Sequence, residues 1–224
     1  MTDAIAGAVQ DAVDRRGHCA LLLSGGSTPR ASYELLAARY RHRLPWAQLQ
    51  LFWGDERFVP ATDPRSNARM AREALVDRVP VPPANVHPVP THLPSADAAA
   101  LRYEADLRAY FAATPPVFDL VLLGLGDDAH TASIFPGSPA LSEPDRSVMA
   151  VTAPVEPRQR VTLTMRTLTA AARLFVLVSG AGKTEALRHA LDPVSAPAQY
   201  PAAALQTAGD RVVWWIDRAA AAGS

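Results

Sequence analysis

Ala20-Leu21-Leu22-Leu23-Ser24-Gly25-Gly26-Ser27-Thr28-Pro29 is an apolar run that ends in a glycine pair, two hydroxyl residues and a proline. The run is short enough for a buried strand, and the residues behind it read as a helix start, with Thr28 as the N-cap and Pro29 at the first helical position. The apolar positions of that helix include Ala31, Leu35 and Ala38. Three further stretches follow the same scheme. Leu49 to Trp53 runs into Gly54-Asp55-Glu56-Arg57, with Ser66 as the cap of a helix beginning near Asn67. Phe118 to Leu123 runs into Gly124-Leu125-Gly126-Asp127-Asp128-Ala129-His130, and Leu174 to Val178 into Ser179-Gly180-Ala181-Gly182-Lys183; both loops lead towards sequence of helical character. Strands alternating with helices predict an α/β fold whose mainly parallel sheet carries helices on both faces, because parallel strands need crossover connections. The four loops then share the carboxyl edge of the sheet, where such folds bind ligands, and seven of the twelve glycines lie in them.

Outward from these units, Ile5, Ala8, Val9, Ala12 and Val13 recur on one helical face, which predicts a helix over about Asp3 to Arg15. Six prolines between Val79 and Ser95 block regular helix and predict an extended connection with a short strand around Asn85 to His87. A helix is expected over Ala96 to Phe111, and a strand over Arg211 to Ile216 before an alanine-rich tail. The length of 224 residues suits one domain spanning the chain. Lysine plus arginine and aspartate plus glutamate both number 22, so no net positive field draws the chain to nucleic acid or anionic membrane. The apolar runs are too short to span a bilayer and the N-terminus lacks a signal-peptide core, so the expected location is the cytoplasm. The single cysteine, Cys19, excludes an internal disulfide, and no Cys/His cluster has zinc-site spacing. Cys19 is expected to be a buried apolar side chain rather than a nucleophile.

The loops carry the chemistry. Ser24, Gly25, Gly26, Ser27 and Thr28 present backbone amides and hydroxyls at a helix start, a setting that favours an anion such as phosphate; the alternative is a plain tight turn. Lys183 lies in a segment like the end of a nucleotide-binding loop, but the glycine that motif requires would fall at Leu177, so the nucleotide motif fails. A lysine there is either a second phosphate contact or a solvated surface residue. Arg57 offers a planar donor fork for a phosphate or a polarised carbonyl, or an ion pair with Asp55 or Glu56. Of six histidines, His18, His42, His87, His92 and His189 have ordinary settings, before a strand, on helices or in the proline-rich connection. His130 follows a glycine-rich strand end and two acids. A free imidazole has a pKa near ~6.5, and a neighbouring carboxylate can fix its tautomer, so His130 is the candidate base.

Taken together, Ser24 to Pro29, Gly54 to Arg57, Ser66-Asn67, and Gly124 to Pro136 resemble the 6-phosphogluconolactonase family in order and spacing. Arg160-Val161-Thr162-Leu163-Thr164, the Gly180 to Lys183 loop and Trp214-Trp215-Ile216-Asp217-Arg218 continue the likeness over nearly the whole chain. The resemblance implies a Rossmann-like fold of the sugar-phosphate isomerase and deaminase type. It also implies hydrolysis of 6-phospho-D-glucono-1,5-lactone, in the oxidative pentose phosphate pathway, without a metal or organic cofactor. By that likeness His130 takes a proton from the attacking water and Asp128 orients its ring. Arg57, Lys183 and the Ser24 to Thr28 loop hold the phosphate and the developing charge, with Asp55, Asn67 and Gly126 also at the substrate.

The chain departs from the family pattern in two places. Ala129 stands where the family has glycine, which disfavours a positive φ before the histidine. The family also has a strand ahead of the first helix; its absence would leave an open sheet edge, so a dimer is the alternative to the expected monomer. Two rival functions are a glucosamine-6-phosphate deaminase, whose pattern carries an acid after the histidine that Thr131 to Pro136 lacks, and a non-catalytic sugar-phosphate sensor.

Overall fold

The computed structural model describes residues 1–113 and 115–222. In chain order the elements are α1 (Thr2–Arg16), β1 (Cys19–Leu23), α2 (Ser27–Tyr40), β2 (Leu49–Trp53), β3 (Asp55–Arg57), α3 (Asn67–Ala74), β4 (Val86–His87) and α4 (Ala96–Phe111). Then come β5 (Leu120–Gly124), β6 (Val148–Thr152), β7 (Gln159–Leu163), α5 (Met165–Thr169), β8 (Leu174–Val178), α6 (Thr184–Leu191), β9 (Val212–Ile216) and α7 (Arg218–Ala221). The end of the alanine-rich tail, residues 223–224, lies outside the described residues.

Six strands form a parallel sheet in the order β4-β2-β1-β5-β8-β9, flanked by helices. β1 and β8 are buried at every position, which explains their unbroken apolar sequence: a strand covered on both faces has no polar side to alternate with. Apart from the helical stretch expected after the Gly124 to His130 loop, the predicted helices and strands stand with small shifts at their ends, and Ser66 caps α3 by accepting from the Arg69 amide at 3.1 Å. Cys19 opens β1 fully buried, and burial, with Asp119 adding to it, pushes its thiol up to about 12, so it is inert as a nucleophile.

The fold corrects several expectations. α2 starts at Ser27 rather than behind a Thr28 cap, because Gly26, at φ 101°, turns the chain so sharply that Ser27 and Thr28 already lie in the first helical turn. No α-helix follows the Gly124 to His130 loop. The chain instead makes short turns to a hairpin, β6-β7, and β7 pairs antiparallel with β3 to form a second sheet in the order β3-β7-β6. β3 leaves β2 through Gly54, whose carbonyl accepts from the Leu163 amide at 2.8 Å and so joins the two sheets. His42 sits in the turn past α2 rather than on it.

Candidate active site

The ends of β1, β2, β5 and β8 converge on one cavity of about 260 Å³. Its lining takes residues from all four glycine loops: Ser24 to Thr28, Asp55 and Arg57, Gly124 to Asp127 with His130, and Ser179 with Lys183; Asn67, at the start of α3, joins them. The structure therefore brings every expected site residue to this cavity except Asp128, which stands just behind His130.

The anchoring of each loop explains its position. Ser24 is clamped by Tyr33 of α2, whose hydroxyl accepts from the Ser24 amide at 2.8 Å and donates to the Ser24 carbonyl at 2.9 Å. Tyr103 of α4 does the same for Trp53 at the end of β2. Two glycines are required by close approach. A methyl on Gly25 would overlap the Asn67 carboxamide, and one on Gly126 would overlap the His130 ring.

Glu56 is buried and gathers four donors: the amides of Arg57, Asn67 and Ala68, at 2.7–2.8 Å, and the Ser66 hydroxyl at 3.0 Å. It thereby ties the β3 strand to the start of α3. Burial pushes the Glu56 carboxyl up, against the pull of those donors. With Glu56 so occupied, the alternative role of Arg57, an ion pair to Asp55 or Glu56, is not formed among the described residues, and the guanidinium donates to the Arg65 carbonyl at 2.6 Å. Asp55 is held by Ser133, which donates its hydroxyl at 2.6 Å, and by Asn67.

His130 is wedged between groups that fix its ring. Nδ1 lies 2.5 Å from Asp128 Oδ1, Phe135 packs on the ring with centroids 4.3 Å apart, and Gly126 leaves room on the other side. The Asp128 carboxylate also accepts from the His130 amide at 3.1 Å. Burial pushes the Asp128 carboxyl up, but the bonds from His130 outweigh it and hold the group below its ordinary value. An ionised Asp128 accepting from Nδ1–H leaves Nε2 as the basic nitrogen. Ala129 adopts the left-handed conformation despite its side chain, at φ 59°, and its carbonyl is fixed by the Ala202 amide at 2.9 Å. Such a conformation costs an alanine about 1–2 kcal/mol, which the surrounding contacts must offset.

Lys183 is not a free surface lysine: its ammonium contacts Asp127 Oδ1 at 2.5 Å. Arg160 was visible in sequence only as part of a family resemblance. β7 sets it directly across from Arg57, where it is buried, its Nε has no hydrogen-bond partner, and burial followed by the charge of Arg57 lowers its pKa. No sequence signal marked it beyond the β-branched run after it, since its place depends on the hairpin. Among the described residues no three His, Cys, Asp or Glu side chains are placed to hold a metal ion, and no helix is long and apolar enough to cross a membrane.

The site thus offers an oriented imidazole, guanidinium and ammonium groups, and a glycine loop at a helix start, facing one small cavity. The family model described as glucosamine-6-phosphate isomerases/6-phosphogluconolactonase matches residues 1–214. A 6-phosphogluconolactonase of a Synechocystis species is 43% identical over 95% of this chain and 87% of its own length. One of Mycobacterium tuberculosis is 39% identical over 97% of this chain and 90% of its own. Among solved structures, the 6-phosphogluconolactonase of Trypanosoma cruzi superposes with a TM-score of 0.87 at 32% identity, over 99% of this chain and 90% of that one. A monomeric glucosamine-6-phosphate deaminase superposes with a TM-score of 0.85 at 21% identity, a likeness of fold. The match along nearly the whole sequence, with the convergent loops just described, places the chain in the glucosamine-6-phosphate isomerase/6-phosphogluconolactonase family.

Proposed function

We propose that this chain is a 6-phosphogluconolactonase, hydrolysing 6-phospho-D-glucono-1,5-lactone to 6-phospho-D-gluconate. The observation that carries the reading is the His130–Asp128 pair, 2.5 Å apart, with its ring in the same cavity as the Ser24 to Thr28 loop, Arg57 and Lys183. A lactone is an activated ester, so a positioned water, a base and donors for the tetrahedral oxyanion suffice. His130 Nε2 takes the proton from water as its oxygen attacks the carbonyl carbon. Asp128 holds the ring and stabilises the imidazolium that forms, and the same proton then passes to the ring oxygen as the carbon–oxygen bond breaks.

General-base assistance supplies about 10²–10⁴-fold, and anchoring the remote phosphate fixes the carbonyl against that water. Arg57, Lys183 and the Ser24 to Thr28 loop hold the phosphate and the developing charge, and Arg160 adds a second positive charge behind Arg57. Asp55 and Asn67 accept and donate to the sugar hydroxyls, and Gly126 lets the ring and substrate approach closely. No metal or organic cofactor takes part in this scheme. The setting is the second step of the oxidative pentose phosphate pathway, in the cytoplasm, carried out by a single domain of residues 1–224 acting as a monomer.

The deaminase reading is not favoured, because the segment from Thr131 to Pro136 brings no carboxylate to the cavity. Proton release from freshly generated 6-phosphogluconolactone, measured against the spontaneous rate and against unphosphorylated gluconolactone, tests the proposal. Fast, phosphate-dependent acid production that His130→Ala abolishes is expected; no acceleration over the spontaneous rate would refute it.

A further inference from the structure

β5 and β8 are neighbours in the sheet, with Gly124 beside Leu177, so the loops leaving their carboxyl ends run side by side. Across that gap the Lys183 ammonium meets Asp127 Oδ1 at 2.5 Å. The lysine side chain is 27% exposed and the aspartate 84%. The Asp127 carboxylate makes no other hydrogen bond among the described residues, whereas Asp128 holds His130, Asp55 is held by Ser133 and Asn67, and Asp217 caps α7. Its carboxylate therefore has no part in building its own loop. What it does is neutralise a cation that faces the cavity.

We infer that Asp127 sets the affinity of the site for phosphorylated ligands, by occupying Lys183 in the empty cavity and competing with the incoming phosphate for it. This rests on the reading of Lys183 as a phosphate contact. A phosphate ester carries up to two negative charges near neutral pH and three acceptor oxygens, against one charge on the carboxylate, so it displaces Asp127. The displacement uses part of the binding free energy, and the freed carboxylate stays tethered nearby, where it repels the phosphate. Because Asp127 is mostly exposed, the pair has the modest strength of a surface ion pair, and its removal changes affinity by about two- to five-fold. A ligand without phosphate has no claim on Lys183 and does not feel the competition.

The test uses Asp127→Asn, Lys183→Ala and the double variant, with KM and kcat for 6-phosphogluconolactone and inorganic phosphate as a competitive probe. Asp127→Asn is expected to lower both KM and the phosphate inhibition constant about two- to five-fold, with kcat held within a factor of about two, and less so at high salt. In the Lys183→Ala background the same substitution should act more weakly, because only the direct repulsion of phosphate by Asp127 then remains, whereas a merely structural role of Asp127 would act equally in both backgrounds. An unchanged or raised KM in Asp127→Asn, while Lys183→Ala weakens both ligands, overturns this inference alone. If Lys183→Ala leaves KM and phosphate inhibition as in the unmodified protein, the phosphate role of Lys183 falls and the inference falls with it.

Discussion

Gly126→Ala is a one-carbon change whose effect on the proposed base can be worked from the geometry. The added carbon would fall against Nδ1, Cε1 and Cγ of His130, well inside van der Waals contact. Gly126 is not among the glycines with positive φ, so its backbone accepts alanine and the ring must yield instead. Carbon atoms in contact sit about 3.5–4.0 Å apart, so the ring has to retreat by about 1 Å or more. It cannot do so while keeping both the 2.5 Å contact to Asp128 and the packing on Phe135. Misplacement by about 1 Å costs on the order of 10²-fold, and loss of a general base about 10²–10⁴-fold. We therefore expect kcat/KM to fall by about 10²-fold or more, roughly 2.7 kcal/mol of barrier or above. The urea midpoint should barely move, because the ring is part-exposed. Stopped-flow proton release with fresh lactone measures the rate. The double variant with His130→Ala should be no slower than His130→Ala alone, since without the ring there is no clash. Retention of kcat/KM within about threefold in Gly126→Ala, against the factor expected for a displaced base, would refute the reasoning.

Tyr33→Phe strips both partners from the buried backbone of Ser24, which should destabilise the protein by about 1–3 kcal/mol in urea titration and raise KM as the glycine loop loosens. Ala129→Gly removes left-handed strain of about 1–2 kcal/mol, but loses about 0.8 kcal/mol of methyl burial and about 0.5–1 kcal/mol to backbone entropy. Its stability should stay within about 1 kcal/mol of the parent, and a shift beyond about 2 kcal/mol would contradict that balance. Asp128 is held below its ordinary value, so its contribution is present above the unfolded pKa near ~4 and lost as pH falls through the lower folded one. Asp128→Asn should flatten the fall of the urea midpoint at acid pH, and an unchanged slope would count against the pairing.

The parallel sheet was legible because strands buried on both faces leave unbroken apolar runs, as in Leu174 to Val178, with glycines at their ends. The convergence of the loops followed from that topology. The second sheet was not, although Val148 to Thr152 and Gln159 to Leu163, separated by a turn with two prolines, carry the β-branched enrichment of a hairpin. Its strands β6 and β7 are as long as those of the parallel sheet, but no glycine loop flags them. Arg160, directly across from Arg57, owes its place to that hairpin, as does Thr162, whose hydroxyl accepts from the Ser133 amide at 3.3 Å. Glu56 read only as one alternative partner, with Asp55, for the Arg57 side chain, because sequence adjacency says nothing of the Asn67 and Ala68 amides that reach it from eleven and twelve residues away. Ala129 was flagged as ill-suited to a positive φ and adopts one all the same, since packing and the Ala202 amide outweigh local preference.

The position of β1 in the sheet bears on how the chain is made. One of its two neighbours, β2, follows closely, but the other is β5, and the Asp119 carboxylate that accepts from the Ala20 amide lies 99 residues downstream. At about 5–20 residues per second, a ribosome needs roughly 5–20 s to supply that stretch. During that interval the apolar strand Cys19 to Leu23 has one edge without its native partner. Pairings this distant in sequence also form slowly once both strands exist. The vulnerable species is therefore a nascent chain ending before Leu120, and chaperone binding there, rather than the stability of the finished enzyme, should govern how much soluble protein a cell recovers.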